Sequence, residues 1–533
     1  MDAQLDLSGP PAFQSATRDV LDVVYSIDPS LAASVGLFED GLRVPSYTPE
    51  RVAASVARLD HDLEVLRGLP WERLDVDTQI DVRLVYAVAE NARHQLTEER
   101  VWVRRPAQWL EPYANTLLAY ASYAPGRPEL QDRLFALLPG MVAEIPVLCT
   151  ELTEQDLVIG RGVADALDGM AVARGAAPAH AALAKLRGWM DAAKPARAYA
   201  VIGADAYAWR FEHALLLPWT PQELLSRALT TLASVEAEIE AIPAPITPAP
   251  TEAQTARAQS LDEAGLLALY DRVSEENRVR TVRGGWVTIP DQVGPIRARP
   301  TPDAMIPLTG DGGSMNPPPT LGSDNVGYWN VNHIGPDTPV ADRAATVVAF
   351  DNVRTNGMGT YAAHEGFPGH HLQLSVARLN PNPLRSILPD PVQNEGWGLY
   401  AEEVFYDNGG ADPGSAAERT LLGSYRGRIS RVVYDVNVET GRWTLQHGAD
   451  FRARAAPGKG EIGPELLRTI NWPTQLISYF AGKQQILELR EAWRAKMGAA
   501  YSDRAFHDAF LAEGSIPIAL IRAKMMGEAI PRP

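Results

Sequence analysis

The stretch HEGFPGHH, residues 364–371, gathers three of the chain's ten histidines around one glutamate. In the common zinc-hydrolase motif, two histidines one helical turn apart bind the ion and the glutamate beside the first acts as base on water. His364 and Glu365 match the first half of that pattern. The position one turn on is Pro368, and the next histidines are His370 and His371. On an ideal helix at about 100° per residue, His371 faces the same way as His364 but stands about 10 Å further along the axis, too far to share one ion. The helix must therefore be deformed. Pro368 cannot donate to the carbonyl of residue 364, and Gly366 and Gly369 tolerate unusual torsions, so residues can bulge outward and bring the next histidine back. His370 needs the smaller distortion and is the expected ligand, with His371 as its alternative; the histidine left over becomes a contact for substrate or for a ligand.

Two histidines need a third protein ligand and an open position. NEGWGLYAEE, residues 394–403, offers Glu395, 25 residues after His370. Its segment begins after LPDP and ends at Asp407-Asn408-Gly409-Gly410, which are helix start and stop signals. Glu395 and Glu402 are seven residues apart and share a face, with Tyr400 nearby. The expected centre is one zinc ion on His364, His370 and Glu395, with Glu365 as base. Isolated histidines such as His61, His94, His180, His213 and His507 read as surface or core residues, and Trp397 as a core aromatic.

Outward from this site the chain reads as mainly α. From about Pro11 to Ile242, apolar residues recur at three- and four-residue spacing, as in LQDRLFALLPGMVAEI and PQELLSRALTTLASVEAEIEAI. The latter opens on Thr220 before Pro221, with Glu223 in the first turn. IPAPITPAPTEAQ, residues 242–254, is proline-rich and reads as a connector. It separates an N-terminal helical region, 1–241, from a metal-binding region, 255–533, expected to pack with the first as one compact unit. A helix over LDEAGLLALYDRVSEENRV is followed by two extended pieces, RGGWVTIP and VGYWNVNHI, around the Gly- and Pro-rich loop TGDGGSMNPPPTLGSDN. These predict a small sheet. Beyond about residue 340 the pattern is helical again, apart from loops such as LNPNPLRSILPDP.

Composition narrows the partners. The formal net charge is −17 over 533 residues, with no run of Lys and Arg, which argues against nucleic acid or an anionic membrane. No stretch of about 18 apolar residues is present to span a bilayer. The early residues lack the apolar core of a signal peptide, and the one cysteine, Cys149, excludes an intrachain disulfide or thiolate zinc site. A cytoplasmic location is expected.

HEGFPGHHLQ followed by NEGWGLYAEE resembles the bacterial family known as domain of unknown function 885, which shows His-Glu-x-x-Pro-Gly-His-His-Leu-Gln and then Glu-Gly-Trp-x-x-Tyr-x-Glu. The resemblance extends to DPSLAASVGL near residue 28, YWNVN at 328–332, and SYFAGKQQILELREAW with FHDAFLAEGSIPIALI near the C-terminus. That family is grouped with helical zinc metallopeptidases of the neurolysin and angiotensin-converting enzyme type. The resemblance implies a large helical metallopeptidase-like fold with a small β-sheet lining a deep cleft. It also implies that Tyr479 stabilises an oxyanion, and that Gln475, Arg431, His371 and Asn332 (or Asn330) contact substrate. Pro473, Gln475 and Tyr479 match the family's Pro-Gly-Gln-x-x-x-Tyr, with Thr474 in place of its glycine. RISRVVYDVNVETGRW departs further: Asn437 replaces a glycine, Glu439 replaces a histidine expected at the substrate, and Phe480 replaces a lysine.

The expected activity is zinc-dependent hydrolysis of an amide in a small peptide or amino-acid conjugate, in a specialised biosynthetic pathway. The alternative keeps the metal and Glu365 but is non-hydrolytic, a lyase, isomerase or cyclase. The expected partner is a small molecule or short peptide.

Overall fold

A computed structural model describes residues 5–243, 249–301, 314–335, 337–455 and 460–533. Thr220 caps the helix Pro221–Ala241 as its spacing predicts: its hydroxyl accepts from the Glu223 N–H while the Glu223 carboxylate accepts from the Thr220 N–H, satisfying two end donors at once. The proline-rich connector falls partly on residues 244–248, outside the described residues. Its described end is shorter than expected. Thr251 and Gln254 form a second capping box, so a helix starts at Glu252 and runs to Gln259.

The sheet has three strands in the order β1 (Ile296–Pro300), β3 (Gly327–Val331), β2 (Ser314–Asn316). β1 runs parallel to β3 with Ile296 opposite Gly327, and β2 runs antiparallel with Met315 opposite Trp329. The expected strand in VGYWNVNHI is β3. RGGWVTIP is not a strand: the preceding helix, Glu263–Gly284, runs into it and ends on Gly285, whose φ of 62° suits glycine. Trp286 and Val287 look strand-like in sequence because both are buried, while the ladder forms later, at Ile296. Two stretches read as loops also hold short elements, β2 and the helix Leu384–Ile387.

One apolar core draws residues from Leu5 to Ile530, so the two expected regions share it. Buried charge crosses between them as well. Arg385, its side chain 3% exposed, pairs with Asp81 at 3.1 Å, Asp77 at 2.7 Å and Glu513 at 2.8 Å. Among the described residues no helix is long and apolar enough to cross a membrane.

Five helices frame the histidine motif: the His364 helix (Met358–Glu365), the His370 helix (His370–Ala377), the Glu395 helix (Pro391–Asp407), the Arg428 helix (Ala416–Glu439) and the Tyr479 helix (Ser478–Met497). The Glu395 and Tyr479 helices pack backbone to backbone through Gly396 and Gly482; a Cβ on Gly396 would stand 2.5 Å from the Gly482 Cα. That approach fixes Tyr479 beside Glu395.

Candidate metal centre

The motif is not one bulged helix. The His364 helix stops at Gly366, residues 366–369 cross over, and a new helix begins at His370. Pro368 supplies no N–H to continue the first ladder. Gly369 passes so close to the first helix that a Cβ would overlap the carbonyl oxygens of Ala363 and His364. A break, rather than the expected outward bulge, is thus what folds His370 back over His364. The two imidazole centres lie 4.6 Å apart with planes at 85°.

Glu395 completes the group. Its Oε2 lies 3.9 Å from His364 Nε2 and 3.6 Å from His370 Nε2, and the three donor atoms all fall within 4.8 Å of one another. Donors roughly 2.0–2.1 Å from a tetrahedral zinc stand roughly 3.4 Å apart, so this set fits such an ion with small adjustments and leaves a fourth position. Among the described residues it is the one group of histidine, cysteine and acidic side chains so arranged. Cavity size alone points elsewhere: about 830 Å³ lined by Asp60, Arg67, His94 and Trp209 lies among the N-terminal helices and contains none of these donors.

Each imidazole is oriented from behind. His364 Nδ1 lies 2.8 Å from Glu402 Oε1, and His370 Nδ1 lies 3.3 Å from Gln373 Oε1, whose amide nitrogen in turn donates to Gln393 Oε1 at 2.6 Å. With Nδ1–H donated to an acceptor, Nε2 of each ring is the nitrogen turned toward Glu395 and the one left to bind a cation. Glu402 is 2% exposed and also meets Ser424 and Arg428. The seven-residue spacing from Glu395 announces a shared face, but not that Glu402 serves His364.

Charge within the group is balanced by proton sharing. Burial would lower the imidazolium pKa of His370, but the hydrogen bond and charge of Glu395, with the charge of Glu365, bring it to about 9. Burial would raise Glu395, yet the His370 hydrogen bond and the neighbouring imidazole charges hold it down at about 2. A cation entering here displaces the His370 proton.

Gly398 is a residue that spacing alone does not flag. A Cβ there would stand 2.7 Å from His370 Cε1 and 2.8 Å from His364 Cε1. Both rings lie over bare backbone of the Glu395 helix. Gly398→Ala is expected to push them apart, weakening metal binding while costing about 1–3 kcal/mol of stability. Denaturant unfolding and a zinc titration against a chelating dye check the two effects.

His371 lies away from the group. It is fully buried, its Nε2 sits 2.8 Å from the Gly294 carbonyl, and its ring packs on β3 where Gly327 leaves no side chain. Burial holds its pKa down at about 4, so it is neutral. It ties the Gly294 and Gly327 segments to the His370 helix.

Glu365 is half-buried at the end of the His364 helix. Tyr479 lies near Glu395 and Gln475; burial, and then the Glu395 charge, raise the pKa of its hydroxyl. Arg431 covers the Tyr479 ring at 4.7 Å and pairs with Glu465 at 2.7 Å. Asn330 is buried within the sheet, where Arg299 donates to it at 2.7 Å, and Asn332 stands just past β3, partly buried. Trp397 is a core residue as expected, and its indole also donates to the Pro368 carbonyl at 2.9 Å.

Glu439 lies apart from the His364, His370 and Glu395 group. It is fully buried where the Arg428 helix meets the N-terminal region, accepting from the Ile202 N–H at 2.9 Å, with its second oxygen unpartnered among the described residues. Burial pushes its pKa up to about 8; the Asp435 charge adds to this, while the Ile202 N–H, Arg105 and Arg104 oppose it. A folded pKa above the unfolded value means that the folded state holds the extra proton between about pH 4.5 and 8, so stability falls as pH rises through that window. Glu439→Gln should match the wild type near pH 5 and exceed it by about 1–3 kcal/mol at pH 9, read by denaturant unfolding at both values.

Fold and centre together define a mainly helical protein carrying a partly buried His-His-Glu group beside a second glutamate. The chain belongs to the family described as bacterial protein of unknown function (DUF885), whose profile matches residues 142–525. Two solved structures share the fold. A protein of unknown function from Shewanella oneidensis, provisionally described as a lipoprotein, aligns with a TM-score of 0.73 at 18% identity, over 97% of this chain and 100% of its own. A Colwellia psychrerythraea protein, likewise provisionally described as a lipoprotein, aligns with a TM-score of 0.63 at 18% identity, over 97% and 99%. No functionally curated protein matches the chain.

Proposed function

We propose that the protein is a zinc-dependent hydrolase that cleaves an amide bond in a small peptide or amino-acid conjugate, and that its fold is that of the helical metallopeptidases, with the sheet lining a cleft over the centre. The observation that carries this reading is the convergence of His364 Nε2, His370 Nε2 and Glu395 Oε2 within 4.8 Å, with Glu365 adjoining His364. Zinc held there supplies Lewis acidity that acidifies water and polarises a carbonyl. Glu365 takes the proton from the attacking water and passes it to the leaving amine. The Tyr479 hydroxyl, close enough to Glu395 for that charge to act on it, donates to the oxygen on which negative charge develops. Glu402 and Gln373 hold the two imidazoles in the tautomer the reaction needs.

The test is turnover of dipeptides and N-acyl amino acids in heavy-oxygen water. Hydrolysis places one solvent oxygen in the carboxylate product. Product formed without solvent oxygen would replace hydrolysis by a lyase, isomerase or cyclase reaction.

A further inference from the structure

Three guanidinium groups converge on Tyr479. The central carbon of Arg431 lies 4.7 Å from the centre of its ring and that of Arg428 lies 5.8 Å away. Arg468 donates at 2.6 Å to Gln475 and lies close enough for its charge to act on Tyr479. Glu465 answers two of the three, at 2.7 Å from Arg431 and 3.6 Å from Arg468. Among the described residues Arg428 has one carboxylate, Glu402 at 3.9 Å, and that carboxylate is engaged with His364 at 2.8 Å. In a chain with 66 acidic and 49 basic residues, three guanidinium groups gather beside the candidate centre.

The arginines at the structural core of this protein look different. Arg385, 3% exposed, meets three carboxylates, and Arg105, 1% exposed, meets Asp156 and two backbone carbonyls. Arg428 and Arg468 keep 25% and 27% of their side-chain surface exposed. Arg428 hydrogen-bonds through Nη1 alone, to Ser424, and Arg468 through Nη2 alone, while the Nε of each has no partner among the described residues. A guanidinium offers five donors in a fixed fork that matches a carboxylate. Two half-open forks with unused donors, one over the Tyr479 ring and one on Gln475, form a receptor for an anion on the substrate.

We infer that Arg428 and Arg468 bind a free carboxylate of the substrate, so that the protein acts on the amide next to a C-terminal carboxylate. Arg431, held by Glu465, backs the Tyr479 ring between them. This rests on the amide-hydrolase reading. A carboxylate rather than a phosphate is assigned because the amide substrates of that reading carry one within a few bonds of the scissile carbonyl.

Calorimetric titration of full-length Glu365→Gln protein, in which turnover is blocked, with N-acetyl amino acids from glycine to phenylalanine and with their primary amides tests this. The acids are expected to bind roughly 10–100-fold more tightly than the amides, the worth of a charge-assisted pair. Adding Arg428→Gln and Arg468→Gln is expected to abolish that preference while leaving amide affinity and the melting temperature close to the parent's. The comparison of acid with amide in the parent needs no further variant. Equal affinities, absence of binding by both sets, or tighter binding of inorganic phosphate than of any acid would overturn the carboxylate site. In wild-type protein, acid preference without hydrolysis contradicts the hydrolase reading alone, and hydrolysis of acids and amides with equal kcat/KM contradicts the carboxylate site alone.

Discussion

Glu365→Gln is expected to lower kcat by roughly 10²–10⁴-fold while leaving one metal ion bound per chain. The glutamine keeps the size and half-buried setting of Glu365 at the end of the His364 helix but cannot accept a proton. Because His364, His370 and Glu395 are untouched, metal content and melting temperature should stay at wild-type values. Steady-state kinetics beside metal analysis of the same preparation separates the base from the ligands. A Glu365→Gln protein that turns over at the wild-type rate would remove Glu365 from the chemistry, and one that loses its metal would make it a ligand instead.

His370→Ala and His371→Ala should diverge, although the residues adjoin in sequence. His370→Ala removes a donor 3.6 Å from Glu395 and should lower metal affinity by more than the ~10–100-fold expected when an outer partner such as Glu402 is lost. His371→Ala should retain the metal. It removes a fully buried ring, orphans the Gly294 carbonyl and leaves a void against β3, costing about 2–4 kcal/mol. Chelator competition reads the first effect and denaturant unfolding the second. Loss of metal from His371→Ala with retention by His370→Ala would reverse the assignment.

Much of the centre was legible because its chemistry is local. His364, Glu365 and Glu395 announce themselves by residue type between helix signals, and the structure brings His364 and Glu395 together with His370. The choice of His370 rested on the smaller distortion, but the distortion itself was misjudged. A break depends on Gly369 lying against the carbonyls of the previous helix, a through-space contact that spacing does not encode. The same holds for Gly398 beneath both rings and for Glu402 behind His364. The burial of Glu439 against Ile202 was not legible, because a charged residue reads as a surface or site residue in sequence. Thr474 is a departure that the structure makes sharper. It stands where the resemblance leads one to expect glycine, and it adopts φ 73°, a torsion that a β-branched residue rarely takes. Helices were legible from apolar spacing and from caps such as Thr220, while β1 was missed because Trp286 and Val287 supply an equally apolar run just before it.

The most direct measurement is anomalous diffraction at the zinc edge from crystals of the full chain grown with zinc. One peak is predicted within bonding distance of His364 Nε2, His370 Nε2 and the Glu395 carboxylate, with none at His371. Absence of a peak at that point, or a peak bound by His371 in place of His370, would contradict the proposed centre.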